Sequence, residues 1–486
     1  MPIKTLHLTN AFHPHSGGIS TFYLAMLQTA NQRQREMRLI VPAAEDRVEL
    51  VGDYGKIYYV RGPKAPIDGN YRWLPPTTFL YPATTIRSIL RHERPDVIEI
   101  AEKYSLAYLG GIWRLGLWRD LDFRPLILGL SCERMDENVA AYVGRSALHR
   151  WFCRWYMHWI YFPFFDHHIA VSEHAAEELV AASYGHAVER SIWIRPMGVD
   201  AARFSPTCRS SAMRRYLLAQ ANAQPGGKLL LYAGRLAPEK NLPLLIAMMR
   251  HLSDRECHLI LVGDGLEREL LRRLANELVP GRVCFLDHIT DRERLAEVYA
   301  SCDLFVHPNP REPFGIAPLE AMAAGLPLVG ANCGGITSYA NQSNAWLAEP
   351  QPAAFAAAIC HALADDAGRQ ARVAAGLTTA AAHSWDRAAE AYFDLYDALH
   401  AQFQGRKALR EYSPFAVSTP ATSGADLLIA VSSSLAQTFF HALMRLKFPE
   451  KSGTQNTFSM RYMRMVPSVT VKDEKQRTFC VQEGQT

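Results

Sequence analysis

Residues 304–327 read LFVHPNPREPFGIAPLEAMAAGLP, and this stretch decides the fold. An apolar run, Leu304–His307, ends in a loop punctuated by Pro308, Pro310, Pro313 and Gly315, and a helical pattern opens at Ile316. A short apolar strand that feeds a helix through a glycine-bearing loop is the repeating unit of a parallel sheet covered on both faces. The loop also carries chemistry. Glu312 on the loop and Glu320 in the following helix stand eight residues apart and can point into one cleft. Phe314, Gly315, Ile316 and Ala317 offer backbone N–H groups at a helix start. Carboxylates accept pairs of hydroxyl donors, as sugars and riboses require. A solvated Glu320 on a capped surface helix is the plainer alternative, and its neighbours Leu319, Ala321 and Met322 speak against it.

Outward from this stretch the same unit recurs. Candidate strands are Thr5–Leu8, Arg38–Val41, Ile57–Val60, Val97–Ile100, Leu126–Leu130 and His168–Val171, then Leu229–Tyr232, His258–Val262 and Val283–Phe285. Helical patterns lie between them, over Thr21–Gln34, Glu173–Ala182, Asn241–Leu252, Leu266–Leu278 and Arg292–Ala300. Two such series predict an α/β protein of two doubly wound, Rossmann-like domains. The break falls near residues 195–206, where Pro196, Gly198 and Pro206 interrupt the pattern. After residue 350 the chain is Ala-rich and helical to about Gln404, with Tyr392, Leu395, Tyr396 and Leu399 at helical spacing. Residues 405–486 turn to Ser, Thr, Pro, Gln and Lys, the composition of a flexible tail, with a short amphipathic helix conceivable over Leu435–Leu446.

Composition limits the partners. The 486 residues carry a formal charge of +4, but 11 Lys/Arg against 6 Asp/Glu lie in residues 405–486, leaving 41 against 42 in residues 1–404. A near-neutral body argues against nucleic acid as a partner. Nine scattered cysteines without a CxxC pair fit a reduced, cytoplasmic protein. Leu427–Met444, free of Asp, Glu, Lys and Arg, holds six polar residues and is too polar to span a bilayer.

Two more strand–helix junctions carry ligand-binding character. The first strand leads through Ser16, Gly17, Gly18 and Ser20 into a helix; glycines there let N–H groups approach an anion, although a plain capped turn reads equally simply. The second domain opens with LLLYAGRLAPEKN, residues 229–241. Gly234 and Arg235 follow the strand directly, at the sheet end where such folds bind ligands, and Lys240 stands five residues on. An Arg fork and a mobile Lys charge suit a diphosphate.

Taken together, Gly17-Gly18, then Gly234-Arg235-Leu236 with Glu239-Lys240-Asn241, Gly263-Asp264-Gly265, and Glu312 with Glu320-Ala321-Met322-Ala323 resemble glycosyltransferase family 4, of the GT-B fold. Gly198-Val199-Asp200 and Ser384-Trp385 are similar to that family's interdomain segment and crossover helix, and the likeness covers roughly residues 3–400. Residues 131–136 and 69–76 resemble mannosyltransferases acting on lipid acceptors. The resemblance implies an acceptor-side domain over 1–195 joined by a crossover helix over 385–404, a donor domain over 196–384, and a tail over 405–486.

It further implies a retaining glycosyltransferase that moves a sugar, mannose being one candidate, from a GDP- or UDP-linked donor to a lipid or glycan acceptor, without metal or other cofactor. Arg235 and Lys240 would meet the diphosphate, with Gly17 and Gly18 approaching from the opposite domain and Gly234 shaping the turn. Glu320 would hold the ribose and Ile289 the base, while Glu312 with Phe314, Gly315, Ile316 and Ala317 would hold the sugar. Where the family commonly has a catalytic His, this chain has Cys132, with Ser131 and Glu133 beside it. That departure leaves a non-catalytic relative that binds sugar nucleotide or glycan as the alternative. A second departure is the missing acid after Gly334-Gly335, which bears on loop support.

Other signals carry less. Asp120 and Asp122 have the spacing of a metal-binding pair, and His13, His15, His167 and His168 lack further ligands. Arg145–Phe165 interleaves Arg145, Arg150 and Arg154 with Trp151, Trp155 and Trp159; it suits an anionic membrane surface, at the inner face for a cytoplasmic enzyme, or a helix whose aromatics pack inward.

Overall fold

The computed structural model describes residues 2–412 apart from 14–16, 66–70, 119, 185, 187–191 and 253–255, together with 471–472 and 478–479. Strands β1 (Thr5–Leu8), β2 (Met37–Ala43), β3 (Arg47–Val51), β4 (Gly55–Arg61), β5 (Val97–Ile100), β6 (Leu126–Ser131), β7 (His167–Ala170) and β8 (Ile192–Ile194) form the first sheet. Its order is β8–β7–β6–β5–β1–β2–β4–β3, parallel throughout except for the β3–β4 hairpin. Helices α1 (Gly18–Gln32), α2 (Thr85–Glu93), α3 (Ala107–Arg114), α4 (Met135–Tyr142), α5 (Ala147–Tyr156) and α6 (Glu173–Ser183) lie in this half. Every residue of β1, β5, β6 and β7 is buried, as sheets covered on both faces require.

The second sheet holds β9 (Lys228–Ala233), β10 (Cys257–Val262), β11 (Val283–Leu286), β12 (Leu304–His307), β13 (Leu328–Ala331) and β14 (Trp346–Ala348), in the order β11–β10–β9–β12–β13–β14 and wholly parallel. Its helices are α7 (Ser211–Gln220), α8 (Pro243–Met248), α9 (Arg268–Leu278), α10 (Arg292–Ser301), α11 (Ile316–Ala323), α12 (Pro352–Ala364) and α13 (Asp366–Ala382). Strand order reverses between β1 and β5 in one sheet and between β9 and β12 in the other. Ligands of open α/β sheets bind at the carboxyl ends beside such reversals. The loops bearing Gly17-Gly18, Gly234-Arg235 and Glu312 leave β1, β9 and β12.

A last helix, α14 (Trp385–Tyr412), returns to the first half and continues past the expected end at residue 404. At the crossover, the Val199 N–H donates to His383 O at 2.8 Å and the Trp385 N–H to Val199 O at 3.1 Å. Tyr392 packs edge-on against Phe22 of α1. Tyr396 and Tyr23 donate hydroxyl bonds to Glu99 of β5, and His7 of β1 lies 2.9 Å from the same carboxylate. A buried carboxylate left without partners costs several kcal/mol, so this polar cluster ties α14 to the central strands.

Several readings need correction. The helix expected over Thr21–Gln34 begins at Gly18, which puts the glycine pair at its N-terminus. Strands β3, β8, β13 and β14 were not expected; β3 is an exposed hairpin partner, and the other three are only three or four residues long. Asp120 is bonded by Arg87 and Arg91 and Asp122 by Arg94, so both acids belong to ion pairs with α2 and the residue after it. His13 stacks on Tyr71, and His168 bonds Phe162 O. The segment from Arg145 is α5 followed by a π turn over Met157–Tyr161. Phe152, Tyr156 and Ile160 face inward, whereas Trp151 is 60% and Trp159 58% exposed. Trp151 and Trp159 therefore do not pack inward, whereas Trp155 between them is partly buried against the core. Ser16, His15 and the expected helix over Leu435–Leu446 lie outside the described residues. Of the basic tail, the described parts are the continuation of α14 and the two short strands Val471–Lys472 and Thr478–Phe479, which extend the first sheet beside β8.

Candidate active site

Loops from both sheets enclose a cleft cavity of about 540 Å³, within the usual range for small-molecule sites. On the second-sheet side, β9 ends at Ala233, and Gly234 after it lies so close to Gly263 after β10 that a Cβ on Gly263 would stand 2.0 Å from Gly234 O. Both residues have positive φ, so glycine is required where β9 and β10 run out. Arg235 is thereby presented at the strand tip. Its Nη2 donates to Glu239 Oε1 at 2.7 Å, and Glu239 Oε2 accepts from Tyr142 of the opposite domain at 2.6 Å. Burial would lower the guanidinium pKa, yet Glu239 and the two tyrosines Tyr71 and Tyr142 raise it further above its usual value. It is a permanent cation.

Lys240 reaches across to Glu312, with Nζ 3.1 and 2.8 Å from the two carboxylate oxygens. Asn309 donates to Glu312 Oε2 at 2.8 Å, and His307 Nε2 lies 3.4 Å from it. Burial alone would raise the Glu312 carboxyl; the Lys240 charge and the His307 contact outweigh it and hold the group well below the carboxylate range. Glu312 is thus an ionised, oriented acceptor on a loop that has little freedom. Gly335 N–H donates to Glu312 O at 2.6 Å, and a Cβ on Gly335 would stand 2.0 Å from Pro313 O. The role of the Gly334-Gly335 pair is this close approach.

Gly315 caps α11 with φ of 90°, and Tyr339 donates its hydroxyl to Gly315 O at 2.5 Å. Across the cleft, Gly17 and Gly18 stand at the start of α1, and a Cβ on Gly18 would lie 3.5 Å from Cδ1 of Ile316. Two helix N-termini therefore approach each other, and each contributes positive potential. Ser172, which caps α6, donates to Pro313 O at 2.5 Å and holds the first domain against the Glu312 loop.

Of the residues expected at the site, Gly17, Gly18, Cys132, Arg235, Lys240, Glu312, Phe314, Gly315 and Ile316 line the cavity. Gly234, Ile289, Ala317 and Glu320 do not line it. Glu320 is 5% exposed; its Oε1 accepts from Arg292 at 2.5 Å and its Oε2 from Tyr299 at 3.1 Å. That leaves spare lone pairs on an oriented carboxylate one helical stretch beyond the cavity. Ile289 is half-buried against the core.

Cys132 lies at the floor. Burial and the charges of Glu99 and Glu133 push its thiol far up, so it remains protonated. Beside it stand two carboxyls, Glu102 and Glu133. Burial pushes Glu102 up to about 7, opposed by bonds from the Leu106 and Ser105 N–H groups. Burial raises Glu133 too, and Asn138 donates to its Oε2 at 2.7 Å. Tyr71 lies in the 69–76 segment singled out in the sequence, whereas Glu102 and Tyr142 escaped that reading, and the fold brings all three to the cleft.

The family model "Glycosyltransferase Family 4" matches residues 16–203, and the model "Glycosyl transferases group 1" matches residues 215–377. A Mycobacterium tuberculosis relative, named GDP-mannose-dependent alpha-(1-6)-phosphatidylinositol dimannoside mannosyltransferase, is 27% identical over 367 residues, 74% of this chain and 87% of that protein. A D-inositol 3-phosphate glycosyltransferase of Xylanimonas cellulosilytica is 34% identical over 236 residues, 47% of this chain and 56% of that one. Among solved structures, sucrose-phosphate synthase of Thermosynechococcus elongatus superimposes with a TM-score of 0.66 at 20% identity, covering 82% of this chain and 100% of that one. The chain belongs to glycosyltransferase family 4 and has the GT-B fold. It is a glycosyltransferase with mannosyltransferase relatives.

Proposed function

We propose that the protein is a retaining, metal-independent mannosyltransferase that takes mannose from GDP-mannose and places it on a lipid-linked acceptor. The observation that carries the reading is the convergence of Arg235, the Lys240–Glu312 pair and two facing helix N-termini on one cleft. The name of the 27%-identical relative supports the donor and the lipid acceptor. In the reaction, the bond between sugar C1 and the diphosphate oxygen breaks while an acceptor hydroxyl oxygen bonds C1 from the same face. The hydroxyl proton passes to the departing phosphate oxygen, and GDP leaves. Arg235, Lys240 and the helix-start amides meet the charge that grows on the diphosphate, the electrostatic contribution that usually dominates such catalysis. Glu312 accepts bonds from the sugar hydroxyls, Glu320 from the ribose, and Ile289 lies against the base.

Purified chain incubated with GDP-mannose, UDP-glucose and other sugar nucleotides is expected to hydrolyse GDP-mannose slowly and faster than the rest. Hydrolysis of another donor alone overturns the mannose assignment, and inertness to all of them overturns the reading.

The exposed Trp151 and Trp159, with Arg145, Arg150 and Arg154 nearby on the same segment, support docking on an anionic membrane at its cytoplasmic face. No helix among the described residues is long and apolar enough to cross a membrane. Withdrawing one large apolar side chain from water is worth about 1.5–3 kcal/mol. Replacing Trp151 and Trp159 by Ser is therefore expected to reduce co-flotation with vesicles containing phosphatidylglycerol by tenfold or more. Flotation equal to that of the wild-type chain would contradict this.

A further inference from the structure

Two side chains of the first half bond the second half across the cleft. Ser172 donates to Pro313 O, on the Glu312 loop. Tyr142, the last residue of α4, donates its hydroxyl to Glu239 Oε2 at 2.6 Å. The other oxygen of Glu239 accepts from Arg235 Nη2 at 2.7 Å. The carboxylate that steadies the Arg235 cation is therefore itself held from the opposite half. Exposure of the two side chains differs: Glu239 is 12% exposed and Arg235 45%, so the acid is enclosed while the guanidinium keeps an open face. Both residues line the cavity. One N–H group of the fork meets Glu239, which leaves others for a ligand. A carboxylate with both oxygens free favours the bidentate arrangement on a guanidinium. Tyr142 prevents that by occupying Oε2, and burial together with the Glu239 charge keeps its hydroxyl protonated. The turn Pro238–Lys240 that carries Glu239 is anchored on its far side as well. Lys240 bonds Glu312, and Asn241, at φ of 56°, donates to Pro308 O at 3.3 Å. A change at Tyr142 thus reaches Arg235 through the Glu239 side chain.

We propose that Tyr142 and Glu239 are positioning residues that aim Arg235 at the donor diphosphate, with α4 docked on Glu239 as the two halves meet. The inference rests on the transferase reading, whose diphosphate is the ligand aimed at. With Oε2 held by Tyr142, Glu239 engages one edge of the fork and the rest of the Arg235 charge stays turned to the cleft. Without the phenol hydroxyl, Glu239 takes the guanidinium with both oxygens, draws it off the cleft and cancels more of its charge. A nucleoside monophosphate offers one phosphate instead of two, so it gains less than a diphosphate from an aimed Arg235.

The test titrates the full chain by calorimetry with GDP and UDP and with the matching monophosphates. The wild-type chain is expected to bind the diphosphate of its donor about a hundredfold more tightly than the monophosphate, since the second phosphate adds charge-assisted bonds. Tyr142→Phe is expected to narrow that ratio by about tenfold, the scale of one such bond, with monophosphate affinity nearly unchanged. In a Glu239→Gln background the same change is expected to leave the ratio nearly constant, because a neutral amide does not draw the guanidinium away. A purely structural Tyr142 would lower the melting temperature in both backgrounds and leave both ratios alone. An unchanged ratio in Tyr142→Phe, or an equal shift in the two backgrounds, overturns the inference. Amide hydrogen exchange of the unliganded chain gives a readout that needs no nucleotide. Tyr142→Phe is expected to speed exchange in residues 135–142 and in residues 235–241 alike, and unchanged exchange in 235–241 overturns the docking of α4 on Glu239. Should the wild-type chain bind neither diphosphate, the transferase reading falls, and the exchange measurement alone decides whether Tyr142 holds Glu239.

Discussion

Lys240→Ala lowers donor turnover by two to three orders of magnitude and destabilises the fold at neutral pH, and the two effects separate in a double variant. The ammonium contacts both oxygens of Glu312, and in the proposed reaction it also meets the diphosphate. Removing one preorganised donor of this kind costs about a hundredfold to a thousandfold in rate. The structural effect follows from burial. Glu312 is 8% exposed, and its carboxyl is depressed because Lys240 and His307 overcome desolvation. A depressed carboxyl contributes stability that is present above its unfolded pKa and lost as pH falls through the folded one. Without Lys240 the desolvation is opposed by His307 and Asn309 alone and the carboxyl rises, so the variant loses less stability than the wild-type chain on acidification from pH 7 towards 5. Breaking a buried pair from one side costs about 3–5 kcal/mol, whereas removing both charges is often nearly neutral. Lys240→Met combined with Glu312→Gln is therefore expected to regain most of the lost melting temperature and none of the activity. Thermal melts at pH 5 and 7 beside donor hydrolysis check this; recovery of activity in the double variant would contradict it.

Gly335→Ala is expected to reduce turnover by a hundredfold or more, although Gly335 touches no substrate in the proposed reaction. A Cβ there would meet Pro313 O at 2.0 Å and Glu312 O at 2.8 Å, and both belong to backbone that cannot swing aside. Relief requires the Glu312 loop to move by about 1 Å, and displacements of that size cost roughly a hundredfold in rate when they misplace a reacting group. The same shift weakens the bond from Gly335 N–H to Glu312 O and strains the Ser172 contact to Pro313 O. Overpacking of this kind lowers stability by about 1–3 kcal/mol. Gly226→Ala is the control, since its Cβ meets nothing within 4 Å. Equal turnover in the two alanine variants would show that the loop tolerates displacement.

The sequence carried the architecture because its signal is local. Apolar strands such as Leu304–His307 and glycine-bearing junctions such as residues 234–235 declare themselves within a dozen residues. What stayed hidden depends on pairing over long separations. Exposed β3 alternates Arg47 and Glu49 with Val48 and Leu50 but buries neither apolar side chain, and it exists through its hairpin with β4. The stripe of Trp151, Trp155 and Trp159 has one helical spacing whichever way it faces, and the packing of Phe152, Tyr156 and Ile160 decides the matter. At the site, the loop residues that meet at the cleft were legible from their junctions. The partners that orient them were not: Arg292 and Tyr299 on Glu320, Ser172 on Pro313 and Gly335 on Glu312 are contacts between segments far apart in the chain.

A crystal structure of the full chain with GDP-mannose bound tests the central claim most directly. It is expected to place the diphosphate against Arg235, Lys240 and the N-terminus of α1 at Gly17 and Gly18, with the mannose hydroxyls on Glu312 and the amides at the start of α11. A diphosphate seated away from Arg235 and Lys240, or a sugar that makes no bond to Glu312, would contradict it.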